Sequence, residues 1–148
     1  MANRTITLQS DGPIKEALAA AAIYPGEILQ RVPAAATVRR HGNSLDYCQP
    51  LLVALEDENQ GNEITEAYAA GDRVFFRAPQ KGDVMLLRVA QGYNVTKHAP
   101  VYSNGDGRLR TGSGTVKEGA LVGISLEAVN MSDSSKADPD SFIEVEIA

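Results

Sequence analysis

The sequence predicts an all-β domain, a compact barrel or sandwich that carries one short helix. Three observations predict it. About eight short apolar runs are spaced along the chain, turn signals separate them every 8–12 residues, and no strand–helix–strand alternation appears. A length of 148 residues suits one domain, with or without an arm.

The elements follow in order. Arg4 to Leu8 reads as a short strand, with Ile6 and Leu8 on one side and Thr5 and Thr7 on the other. Ser10-Asp11-Gly12-Pro13 breaks it. Ile14 to Ala22 is the helix candidate. It is rich in alanine, Pro13 stands at its first turn, and Ile14 and Leu18 share a face at i, i+4. Nine residues make a helix that only packing would hold. Tyr24-Pro25-Gly26-Glu27 has the chemistry of a type II turn. Ile28 to Val32 follows as a strand, and Pro33 to Ser44 as a loop or irregular hairpin. Leu51 to Leu55 is a continuous apolar run of strand length.

The centre holds a near-repeat. Gly71-Asp72-Arg73-Val74-Phe75-Phe76-Arg77 is echoed eleven residues on by Gly82-Asp83-Val84-Met85-Leu86-Leu87-Arg88. Two consecutive strands joined by a turn, covered on both faces, explain it. Val95 and Val101-Tyr102 bracket another turn. Asn104-Gly105-Asp106-Gly107 predicts a tight hairpin. Ala120 to Val129 is a strand and Met131 to Asp140 a polar loop. Phe142 to Ile147 closes the chain with Ile143, Val145 and Ile147 on one face and Glu144 and Glu146 on the other.

Composition narrows the function. Nineteen acids against fourteen bases argue against a general nucleic-acid binder. No apolar run approaches the ~20 residues of a membrane span, and the first residues lack the apolar core of a signal peptide. These features predict a soluble, intracellular or virion-type domain. The charge comes in blocks. Residues 1–45 carry +2, 46–70 carry −6, 71–118 carry +4 and 119–148 carry −5. Such blocks either face solvent separately or pair subunits in a complementary way.

The search for chemistry returns no catalytic constellation. Cys48 stands alone, which rules out an intrachain disulfide and a cysteine-based metal cluster. Gly105-Asp106-Gly107 lacks the third glycine and the helix of a dinucleotide loop. Glu56-Asp57-Glu58 are consecutive carboxylates that converge poorly on a metal. Arg39-Arg40-His41 is a small basic cluster suited to a carboxylate-rich or phosphate surface. No cofactor and no metal are expected.

Three stretches in succession resemble a known family. They are Glu16 to Gly26, an alanine-rich segment ending in Ile23-Tyr24-Pro25-Gly26; Tyr68-Ala69-Ala70-Gly71-Asp72-Arg73-Val74; and Val101 to Leu109 with its Asn-Gly-Asp-Gly hairpin, followed by Val122-Gly123-Ile124-Ser125-Leu126-Glu127-Ala128. Together they resemble the capsid decoration (cement) proteins of tailed bacteriophages over roughly residues 14–130.

The resemblance implies a β-tulip or β-clip body, residues 13–148, preceded by an extended N-terminal arm, residues 1–12. It implies a structural protein of the virion and no enzyme. Made in the host cytoplasm, it would bind the outside of an expanded head and clamp neighbouring major capsid protein subunits against internal DNA pressure. A homotrimer is the expected assembly, with dimers in some members, and neither nucleic acid nor membrane is a direct partner. In this reading the arm, up to roughly 40 Å long, extends a neighbour's sheet; the alternative is that residues 1–12 pair within their own barrel. Ile6 and Leu8 enter apolar pockets, and Arg4, Arg39 and Arg40 meet capsid carboxylates. Two rival readings stand beside it. Ile23 to Leu29 also resembles the antifreeze-like β-clip domains appended to sialic-acid synthases, which implies carbohydrate binding. A small enzyme would use Cys48 with His41 or His98.

Overall fold

The computed structural model describes residues 5–42, 51–57, 60–112, 121–131 and 142–148. Its strands are β1 (Thr7–Gln9), β2 (Ile14–Ala19), β3 (Ile28–Arg31), β4 (Thr37–Arg40), β5 (Leu52–Ala54), β6 (Arg73–Arg77), β7 (Val84–Arg88), β8 (Asn94–Val95), β9 (Pro100–Ser103), β10 (Leu109–Thr111), β11 (Leu121–Ser125), β12 (Val129–Asn130) and β13 (Phe142–Ile147). Five of them close a barrel in the order β2-β4-β3-β5-β6. Six form a sheet in the order β1-β7-β13-β11-β9-β10, and β12 and β8 make a two-stranded ribbon. The all-β expectation holds.

The helix expected over 14–22 is absent; those residues supply β2 instead. β2 pairs antiparallel with β6 from Ile14↔Arg77 to Leu18↔Arg73, and parallel with β4 at Leu18↔Thr37 and Ala19↔Val38. Alanine's helix propensity is a weak local preference, and nine residues cannot sustain a helix alone. The barrel uses the small side chains another way. Ala19 is buried inside, Ala17 packs beside it, and Val74 and Phe76 fill the remaining space. Small residues opposite large ones are what a narrow barrel interior accommodates. Ile14, Glu16 and Leu18 alternate with them and point outward, with Ile14 58% and Leu18 46% exposed.

The near-repeat divides between the two halves of the molecule. β6 belongs to the barrel, while β7 pairs with β1 and β13 in the sheet. The segment after Pro33 is a hairpin, with β4 folded back on β3. The Asn104–Gly107 turn joins β9 to β10 as expected. β13 keeps its alternation, with Ile143, Val145 and Ile147 buried and Glu144 and Glu146 exposed. The Met131–Asp140 loop lies, after Met131, outside the described residues.

Two hydrophobic clusters result. One fills the barrel. The other joins the sheet to the barrel's outer wall, where Ile28, Val53 and Leu55 pack with Ile6, Met85, Leu87, Ile143 and Val145.

From Thr5 onward the expected arm is part of the body. β1 is an edge strand of the chain's own sheet, and Ile6 is fully buried in the shared core. Charged side chains tie the segment down. Glu56 accepts from the Thr5 hydroxyl at 2.7 Å and from the Ile6 N–H at 3.1 Å. Arg77 donates to Thr7 Oγ1, Ser10 O and Gly12 O. An apolar residue such as Ile6 gains about 1.5–3 kcal/mol by entering the core, which a free arm forgoes.

Candidate functional site

The turn at Tyr24–Glu27 is where barrel and sheet meet. Gly26 has φ +85°, and the Glu27 N–H donates to Tyr24 O at 3.2 Å, in line with a type II turn. The turn carries Glu27 into a fully buried position. There Glu27 Oε1 accepts from the Tyr24 N–H at 2.6 Å and from Arg40 Nε at 3.0 Å, and Arg40 Nε lies 3.0 Å from Oε2 as well. Burial pushes the Glu27 carboxyl above its ordinary value, and the Tyr24 N–H and Arg40 pull it partly back.

Gly107 closes over this pair. A Cβ there would stand 3.1 Å from Glu27 Cβ and 3.2 Å from Arg40 Cγ, and its φ of +81° suits glycine. The Asn104–Gly107 turn is therefore also a lid on the junction. Its position is fixed by the Ile28 N–H donating to Gly107 O at 2.7 Å and the Gly107 N–H donating to His41 O at 3.2 Å.

Arg88 completes the junction from the sheet side. It is fully buried; Nε donates to Pro25 O at 2.7 Å and Nη2 to Ile64 O at 2.8 Å. The guanidinium lies between the Tyr24 and Phe142 rings, 4.9 Å and 4.4 Å from their centroids. Burying a cation is costly unless its protons are bonded, and carbonyls and ring faces meet that need here. In the barrel cluster, Tyr68 donates to Leu55 O at 2.7 Å, and burial pushes its hydroxyl well above the usual range.

The candidate residues are not brought together. Arg4 lies outside the described residues. Ile6 is a core residue and offers no plug for a partner. Leu8, on β1, is 42% exposed. Arg39 and Arg40 are neighbours on β4 but point oppositely, Arg39 into solvent and Arg40 onto Glu27. Cys48 and Glu58 lie outside the described residues, and Glu56 serves the N-terminal strand. His41 Nδ1 lies 2.6 Å from Ser103 Oγ, but His41 and Ser103 are both buried, and the Gly105 N–H also donates to that oxygen. This Ser–His contact locks the hairpin to β4. The Ile23–Leu29 segment that resembles a sugar-binding β-clip is largely buried in the junction. Among the described residues, no group of three His, Cys, Asp or Glu side chains could hold a metal ion.

Glu27 and Arg88 were not among the sequence candidates. Arg88 had a signal, an ionisable residue set inside the apolar run Leu86-Leu87-Arg88-Val89-Ala90, whereas Glu27 sits at the end of a turn and had none.

Two surface features remain. A cleft of about 300 Å³ runs between β1 and the barrel, lined by Thr5, Thr7, Ile14, Glu56, Phe75 and Arg77. The outer wall of β2 and β4 presents Ile14, Leu18 and Arg39 to solvent.

The fold is similar to that of a solved structure. It is the N base of the head fiber gp8.5 in bacteriophage phi29, with a TM-score of 0.57, 9% sequence identity, and coverage of 92% of this chain and 93% of that one. The likeness is one of fold. No family model matches the chain, and no curated protein sequence matches it significantly. At 9% identity the two share the path of the backbone, and the side-chain chemistry has to be argued from this chain alone.

Proposed function

We propose that this chain is a structural protein of a phage head. It binds the outer surface of the expanded shell, where it acts as a decoration protein that clamps neighbouring major capsid protein subunits. The observation that carries the reading is the fold shared with a head fiber base over nearly the whole length of both chains. The succession of three sequence motifs supports it independently.

The mechanism is binding alone, with no bond made or broken. The shell-facing surface is the open side of β1, with Leu8 as its apolar contact and the adjoining cleft as the receptor for a capsid side chain. An edge strand offers unpaired backbone groups, and many copies on one shell turn modest contacts into large total stabilisation. The chain assembles as a homotrimer, is made in the host cytoplasm and contacts neither DNA nor membrane directly.

The test uses purified virions from the source that encodes the chain. The account expects the chain in washed particles by mass spectrometry. It also expects particles stripped of the chain to release DNA sooner under osmotic shock, and Leu8→Asp to restore occupancy poorly when added back. Absence from washed virions would overturn the head assignment. Stripped particles as resistant as intact ones would overturn the clamping role.

A further inference from the structure

The four exposed large aliphatic side chains among the described residues are Leu8, Ile14, Leu18 and Ile124. Leu8 lies at the β1 edge. The other three mark two separate strand faces, and these faces carry opposite charge.

The first face is the exposed outer side of β2 and its neighbours β4 and β6, running from Leu18 to the cleft beside β1, where Ile14 and Arg77 lie. Ile14, Glu16 and Leu18 of β2 point outward together, and the register puts Thr37 of β4 beside Leu18 and Arg73 of β6 across from it. Arg39, two residues beyond Thr37, shares that side and is exposed. Glu16 is bonded to Arg73 at 3.2 Å, but both side chains are more than half exposed, so the bond is weak and exchangeable. With Arg77 at the far end the face is net positive around two aliphatic side chains.

The second face lies on the six-stranded sheet. Ile124 of β11 stands directly opposite Glu146 of β13, and Glu144 follows on the same side. Glu127 joins them, its Oε1 accepting from the Glu144 N–H at 2.8 Å. Two carboxylates, Glu144 and Glu146, therefore share a face with one exposed isoleucine, and a third, Glu127, is held at the Glu144 backbone.

We propose that a second copy of this chain covers each face, the basic β2–β4 wall of one copy seating on the acidic β11–β13 face of the next. The two charge blocks at 71–118 and 119–148 supply much of this complementarity, and β2 and β4 bring the aliphatic anchors and Arg39. Like faces repel and unlike faces attract, which selects a head-to-tail contact over a two-fold one. Head-to-tail contacts close into a ring when the rotation allows. This assigns a surface to the self-assembly proposed above and rests on that reading only for the existence of an oligomer; it needs no shell.

The experiment is sedimentation velocity on the full-length chain in solution. The wild type is expected to self-associate, with affinity about tenfold weaker as salt rises from about 0.05 M to about 0.5 M. A double variant with Arg39→Glu and Arg73→Glu should be monomeric. So should a second with Glu144→Lys and Glu146→Lys. Both keep the wild-type melting profile because all four side chains are exposed. Mixing the two variants should restore association, since each then presents two faces of one sign. A monomeric wild type, variants that associate like the wild type, or a mixture that stays monomeric would each overturn the assignment. None of these results depends on whether the chain binds a head.

Discussion

β2 of the barrel and β13 of the sheet are both six residues long, and both alternate toward their C-terminal ends, yet they bury different kinds of side chain. β13 turns Ile143, Val145 and Ile147 inward and leaves two glutamates in water. β2 turns alanines inward and leaves Ile14 and Leu18 in water. The sheet packs against a second layer and has room for branched side chains. The interior of a five-stranded barrel is closed and narrow, and Phe76 and Val74 already occupy its centre. A strand's apolar side is therefore not always its inner side. When the interior is narrow, large aliphatics are displaced outward and become contact surface.

Three substitutions probe this contrast. The largest effect is expected in the sheet: Ile143→Ala leaves a void in a close-packed layer and should cost about 2–5 kcal/mol in denaturant unfolding. A cost below ~1 kcal/mol would mean that the layer is looser than the burial of Ile143 implies. In the barrel the sign of the size change reverses. Ala19→Leu adds bulk where space is filled and should cost about 1–3 kcal/mol, whereas a stabilised variant would show that the interior has room to spare.

The smallest effect concerns the joint between the two halves. Glu27 binds its proton more tightly in the folded chain than the ordinary 4.5. Its contribution is thus fully present below that value and is lost as pH rises through the raised folded value. Glu27→Gln keeps an acceptor for the Tyr24 N–H without the charge. Its stability relative to wild type should therefore improve as pH climbs from about 4.5 toward neutrality. A relative stability that falls over that range would show that Arg40 outweighs burial at this carboxyl.

Much of this architecture could be read before the structure. β13, the Asn104–Gly107 hairpin and the Tyr24–Glu27 turn were legible because each obeys a local rule: one-sided burial, or a glycine where φ must be positive. β2 was not legible, since alanine inside a barrel and alanine on a helix have the same composition, and only closure of the barrel decides between them. The N-terminal strand also misled. Thr5 to Gln9 has the composition of an exposed edge, and the residues that hold it down, Glu56 and Arg77, stand some fifty and seventy positions away. Of the site residues, Leu8 and Arg39 are exposed. Arg40 turned inward because of Glu27, a partner thirteen residues earlier that no periodicity marks.

The most direct test of a head-bound role is cryo-electron microscopy of purified virions from the encoding source, compared with particles from a strain lacking this gene. The account predicts density outside the shell at junctions between capsid subunits, fitted by the barrel-plus-sheet body and missing from the deletion strain. Identical shells in the two strains would contradict it.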